Sequence, residues 1–167
     1  MTRGEGDIMD KSYEDRLAQL GLELPGVARP LAAYAPAVVS GKYVYTAGQL
    51  PLVSGSLLET GVVSDSGAEG TVSPERAAEL AERCALNALA AVKSQIEDLD
   101  RIQRIVKVTG FVASASDFYG QPAVVDGAST LLGRVFGEAG VHARSAVGVS
   151  VLPLNSPVEV ELIVEFH

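Results

Sequence analysis

ARSAVGVSVLPLNSPVEVELIVEF, residues 143–166, holds two runs of alternating residues separated by Pro153, Asn155 and Pro157. Alternation with a period of two marks a strand with one face on a core and the other turned away. On the second run Val158, Val160, Leu162, Val164 and Phe166 share one face, and Glu159, Glu161, Ile163 and Glu165 take the other. On the first run Val147, Val149 and Val151 share a face, and Arg144, Ala146, Gly148 and Ser150 share the opposite one. Paired as a hairpin with Val151 facing Val158, the two strands set Arg144 opposite Glu165 and Ser150 opposite Glu159, all on one face. Arg144 then lies six strand residues from the level of Glu159, roughly 20 Å. One copy of the chain does not bring both to one small ligand; two copies can.

Arg144 is the exception in its run. A guanidinium costs several kcal/mol to desolvate unless it meets an anion. It is satisfied on a wet rim, by a carboxylate of this protein, or by a carboxylate that arrives as a ligand. The plain reading is a solvated sheet face with surface ion pairs, each worth under about 1 kcal/mol. Against it stand Ala146, Gly148 and Ser150, three small residues that suit close approach by a neighbouring subunit or a ligand.

Working towards the N-terminus, VVDGASTLLGRVFGEAG (124–140) reads as a helix weakened by Gly127 and Gly133 and closed by Gly140, after a bend over DFYGQPAVV. IQRIVKVTGFVA (102–113) is a strand. Ser73-Pro74 opens the clearest helix, a capping serine before proline at the first helical position. Its Ala81, Ala85, Ala88, Val92 and Ile96 form an inward stripe that lasts to about Leu99. Residues 53–72, rich in Gly and Ser, form a long loop. VARPLAAYAPAVVSGKYVYTAGQLPL (27–52) carries two extended runs broken at Ser40-Gly41-Lys42. Ser12, followed by acidic residues, caps a short helix that stops near Gly21. The order is β-β-α-β-α-β-β behind a short helix. It predicts an α+β, two-layer domain over residues 12–167, with a mixed sheet and two helices on one face. Residues 1–11 are expected to be a flexible tail.

A chain of 167 residues suffices for one domain with its own core. Much of its apolar content is Ala and Val, and it has no Trp, so other subunits are expected to close part of the apolar surface. The net charge of −8 argues against broad binding to phosphate backbones. A single Cys84 excludes an internal disulfide and fits a reducing compartment; in the long helix it reads as a small core residue. The two histidines, His142 and His167, make no metal-binding spacing, so neither a metal nor a cofactor is expected. No apolar run approaches a membrane span and the first residues lack the core of a signal peptide. The expected location is cytoplasmic.

Three segments together resemble one family. ARSAVGVSVLP, with a Glu fifteen residues after its arginine, resembles the C-terminal signature of the Rid proteins, the reactive intermediate deaminases. These are also known as the YjgF-like or endoribonuclease L-PSP family. SGKYVYTAGQLPL (40–52) resembles the family's second strand and its Gly-Gln turn, and IVKVTGFVASASDF (105–118) its central strand and Asp-Phe bend. The match covers about residues 30–166. The resemblance implies a chorismate-mutase-like fold, a homotrimer with clefts between subunits, and hydrolysis of small enamine or imine acids such as 2-aminoacrylate to 2-keto acids and ammonia. By the same resemblance Arg144 grips the substrate carboxylate and Glu159 places water. Tyr34, Gly48, Gln49, Ser145 and Ala146 line the substrate-binding cleft. Ala47, Pro36 and Gly148 depart from common polar positions of the family, and the bend DFYGQPAVVDGAS (117–129) is longer than the family's, which leaves the counterpart of its cleft asparagine open. Those losses keep open a second function, a non-catalytic trimer that binds small carboxylate metabolites. A ribonuclease or translation inhibitor fits the acidic charge least.

Overall fold

The computed structural model describes residues 11–27 and 33–167. The expected tail, apart from Lys11, and part of the first extended run lie outside the described residues. Helix α1 (Tyr13–Gln19) begins as Ser12 predicts, with a capping box in which Ser12 and Asp15 exchange hydrogen bonds. Strands β1 (Ala37–Ser40) and β2 (Tyr43–Thr46) form a hairpin across Gly41, whose φ of 59° suits its lack of a Cβ. Residues 53–72 are more ordered than a Gly/Ser-rich loop suggests. They take part in a small hairpin of β3 (Leu52–Val53) and β4 (Ser56–Leu57), and buried Val63 bridges to both Val72 and Ser114.

Helix α2 (Pro74–Ile96) starts at capping Ser73 and buries all five residues of the expected stripe. Strand β5 (Ile102–Ala113) follows. Helix α3 runs Gln121–Phe136 and therefore absorbs most of what the sequence presents as a bend. Pro122 sits in its first turn, where a missing N–H costs nothing. Gly137, at φ 60°, ends it ahead of Gly140. Strands β6 (Ala143–Val149) and β7 (Val158–Phe166) complete the chain.

The sheet order is β1-β2-β7-β5-β6. β6 and β7 are not a hairpin. β5 lies between them, parallel to β6 and antiparallel to β7, in a mixed sheet. The physical reason lies in the burial each strand needs. β7 carries four fully buried residues, Val158, Val160, Leu162 and Val164, and so takes a central place with a neighbour on each side. The α3 crossover delivers β6 parallel to β5 at the edge, where its exposed residues are tolerated. The connection through Pro153, with Leu154 and Asn155 at φ 58°, then reaches back across the sheet.

Helices α2 and α3 cover one face, over Val44, Val108, Val112, Val160, Leu162 and Val164. They meet closely: a Cβ added at Gly127 of α3 would overlap Ala78 O of α2, and one at Gly110 of β5 would reach into Val125 of α3. The other face carries Glu159, Glu161 and Ile163 of β7, Lys107, Thr109 and Phe111 of β5, and Ser145 and Val147 of β6. Val38, Tyr45 and Val147 on this open face are exposed. Among the described residues no helix is long and apolar enough to cross a membrane.

Candidate functional site

The register overturns the expected alignment of Arg144 with the β7 carboxylates. Arg144 pairs with Val108, which pairs with Leu162, so its side chain leaves the sheet on the helix-covered side. Glu159 pairs with Phe111, which pairs with Val147, and it projects from the open side. The two levels differ by three residues and two strand spacings, roughly 14 Å between backbones rather than the 20 Å of a hairpin. The decisive separation is that they stand on opposite faces. Small Ala146 and Gly148 make room for the chain itself. Ala146 packs on the core, and the space beside Gly148 is filled by Gln121 Nε2 and Ser114 Oγ.

The first half of the site is built around Glu159. Thr46 Oγ1 accepts from the Leu162 N–H at 2.9 Å, which ties the end of β2 to β7. The chain then turns through Ala47-Gly48 so that Gln49 exchanges backbone hydrogen bonds with Val160, at 2.8 and 3.0 Å. Asn87 Nδ2 of α2 donates to Leu50 O and Leu52 O and pins the turn from behind. This lays Gly48 on the Glu159 carboxylate so closely that a Cβ there would overlap Oε1. Gln49 is itself buried, with Nε2 donating to Ala47 O at 3.3 Å. Burial under this turn raises the Glu159 pKa, and the charge of Glu161 raises it further. Glu159 is thus a better proton acceptor than a free carboxylate.

The second half is built around Arg144. Its Nη1 donates to Asp126 Oδ1 at 2.6 Å and to Ser129 Oγ at 3.2 Å, and its Nη2 donates to Pro122 O at 3.3 Å. The anion implied by an arginine in this strand is therefore a carboxylate of the same chain, delivered by α3. His142 orders the group further. Its Nδ1–H donates to Gly140 O at 2.6 Å in the tautomer that leaves Nε2 free to accept from Ser129 Oγ at 2.9 Å. Ser129 then turns its lone pairs to Arg144. The guanidinium has five N–H donors, of which these contacts use two on Nη1 and one on Nη2. Among the described residues no acceptor meets Nε–H or the second Nη2 hydrogen.

The structure joins Glu159, Gly48 and Gln49 on one side, and Arg144 and Ala146 on another. Ser145 accepts from Lys107 Nζ at 2.9 Å on the open face. Tyr34 is 55% exposed just before β1. β1 and β6 are opposite edges of the sheet, about 19 Å apart. Tyr34 and Arg144 of one copy stay apart. Sequence reasoning missed Asp126, Ser129 and Asn87 and gave His142 no role. The Asp126–Ser129 spacing of three does put both on one helix face, a signal that was available. Buried Cys84, its thiol held well above the ordinary value first by burial and then by the charge of Glu159, lies under Val158 O on the helix side. Among the described residues no three His, Cys, Asp or Glu side chains gather as a metal cluster.

Comparison with known proteins identifies relatives of the whole chain. A family model described as "YjgF/chorismate_mutase-like, putative endoribonuclease" matches residues 14–166. Protein TCP17 of Trypanosoma cruzi is 41% identical over 152 residues, spanning 90% of this chain and 92% of its own. A 2-iminobutanoate/2-iminopropanoate deaminase of Dermatophagoides farinae is 29% identical over 144 residues, 86% of this chain and 93% of that one. The crystal structure of Atu1372 from Agrobacterium tumefaciens, a protein of unknown function, matches with a TM-score of 0.83. It is 43% identical and covers 93% of this chain and 94% of that one.

Proposed function

We propose, from the premise that the chain belongs to the YjgF/chorismate mutase-like family, that it hydrolyses small 2-imino or enamine acids to 2-keto acids and ammonia. The observation that carries this reading is Glu159, a half-buried carboxylate of raised basicity seated against a glycine turn. The deaminase relative supports the reaction class.

In this reading three copies assemble through their open sheet faces, which covers Val38, Tyr45 and Val147. Each cleft takes Arg144 from one copy and Tyr34, Gly48, Gln49 and Glu159 from the next. The free Nε–H and Nη2–H of Arg144 hold the substrate carboxylate through two hydrogen bonds. An enamine first tautomerises to the imine, which is protonated at nitrogen. Glu159 takes a proton from water as the water oxygen bonds to C2 and the C=N electron pair moves to nitrogen. Glu159 then returns the proton to nitrogen. The C–N bond then breaks and ammonia leaves with its electron pair, while Glu159 takes the hydroxyl proton as that oxygen forms the carbonyl and passes it to the departing ammonia, which leaves as ammonium and restores the carboxylate. Fixing the carboxylate beside the water contributes several kcal/mol through positioning.

The pairing of Arg144 with Asp126 favours one competing reading, a trimer that binds carboxylates without turnover. An amino-acid oxidase coupled to this protein separates the two, with surviving imine trapped by semicarbazide. The deaminase shortens the life of the imine. Arg144→Lys, which keeps the charge and loses the planar fork, lowers kcat/KM at least about tenfold, or about 1.4 kcal/mol. Glu159→Gln slows turnover and leaves carboxylate binding intact. Imine loss no faster than the spontaneous rate would establish the binding reading instead.

A further inference from the structure

We infer that Asp126 makes the Arg144 site selective for carboxylates that carry an adjacent positive charge, a property that rests on Arg144 being the carboxylate clamp. The inference starts from how the guanidinium is divided. Asp126, Ser129 and the Pro122 carbonyl all come from α3 and take three of its five donors. What remains, Nε–H and one hydrogen of Nη2, is enough for a carboxylate to bind with both oxygens. An incoming acid therefore need not displace Asp126. It binds beside it.

Asp126 is poorly suited to a purely structural ion pair. Its side chain is 63% exposed against 23% for Arg144, and only Oδ1 touches the guanidinium. An ion pair so wet contributes little to stability. Its lasting effect is the negative charge it holds on the order of 6 Å from any acid on the free donors, one guanidinium width plus two hydrogen bonds. That charge repels a plain monoanion and attracts a cation placed next to the carboxylate. A 2-iminium acid, with its C=NH2+ joined to the carboxylate carbon, is such a molecule. The 2-keto acid formed from it is not. Asp126 thus favours substrate over product at the same arginine, and loss of the cationic nitrogen weakens the hold on what remains.

The test uses two acids of nearly equal shape and different charge, L-alanine, a zwitterion, and isobutyrate, a monoanion. Their affinities are measured by titration calorimetry on the full chain. The wild type binds L-alanine about tenfold more tightly than isobutyrate. Asp126→Asn tightens isobutyrate about threefold and weakens L-alanine by a similar factor, so the preference disappears. Asp126→Glu, which keeps the charge, restores it and serves as well if the amide variant folds poorly. An unchanged ratio in Asp126→Asn, with both acids weakened in Arg144→Lys, would overturn the charge selection and leave the clamp standing. Equal binding by wild type and Arg144→Lys, or no binding of either acid by the wild type, would overturn the clamp and this inference with it.

Discussion

Two glycines of α3, six residues apart, should respond to the same substitution with opposite signs. Gly127 and Gly133 both sit inside the helix, and Gly→Ala in a helix interior is worth about 1 kcal/mol of stabilisation. Around Gly133 nothing lies within 4 Å of the new Cβ, so the gain is realised in full. At Gly127 the Cβ would overlap Ala78 O and stand 2.7 Å from Ala78 C and 3.1 Å from its Cα. The obstacle is the backbone of a 23-residue helix, which has no rotamer to yield. Overpacking costs roughly 1–3 kcal/mol, and a backbone obstacle belongs at the upper end. A cost of about 3 less a propensity gain of about 1 leaves Gly127→Ala destabilised by about 2 kcal/mol. For a chain of this length each kcal/mol moves Tm by about 2–4 °C. Gly133→Ala should therefore melt about 2–4 °C higher than the wild type and Gly127→Ala about 4–8 °C lower. Urea titration followed by circular dichroism, at one fixed protein concentration, should give a gap of about 3 kcal/mol between the variants. Stabilisation of both by the same amount would show that α2 and α3 do not approach at Gly127 as described.

Gly48→Ala should slow imine turnover at least about tenfold, a loss of about 1.4 kcal/mol, because the new methyl evicts the Glu159 carboxylate from its seat. Its melting temperature should fall by no more than that of Gly127→Ala, since the obstacle is the movable end of a side chain. Glu159→Gln should be more stable than the wild type at neutral pH. Burial raises the folded-state pKa of Glu159, so the stability this group contributes is full at low pH and lost as pH rises through the raised value. The advantage of the variant should open as pH climbs past the ordinary carboxyl value of 4.5 and close below it; an advantage greatest in acid would contradict the burial of Glu159. Cys84 should resist iodoacetamide at pH 8 until the chain unfolds, because its thiol is buried and kept protonated. Rapid labelling of the native protein would refute that placement.

Local chemistry determined much of this fold from the sequence alone. Ser12 and Ser73 cap their helices because a side-chain oxygen next to a free N–H is satisfied within four residues of chain. The stripe from Ala81 to Ile96 is buried because a helix has one periodicity and one apolar face. The alternation in β7 likewise told which residues lie in the core and which lie on the Glu159 face. The resemblance of short motifs singled out Glu159, Gly48 and Gln49 as expected site residues, and the turn sets Gly48 against Glu159 and Gln49 beside Val160.

Alternation could not say which strand lies next to which. Residues 143–149 and 158–166 satisfy their own pattern equally well as a hairpin or with another strand between them. Only the competition for central positions in the sheet put β5 there, and with it Arg144 on the helix face instead of beside Glu165. The partner of Arg144 was hidden for the same reason. Asp126 and Ser129 lie 18 and 15 residues away in the chain, and they meet the guanidinium because α3 crosses back to lay β6 parallel to β5. A strand's faces follow from its own residues. Its neighbours, and the charge that meets each side chain, follow from the burial of every other strand and helix at once.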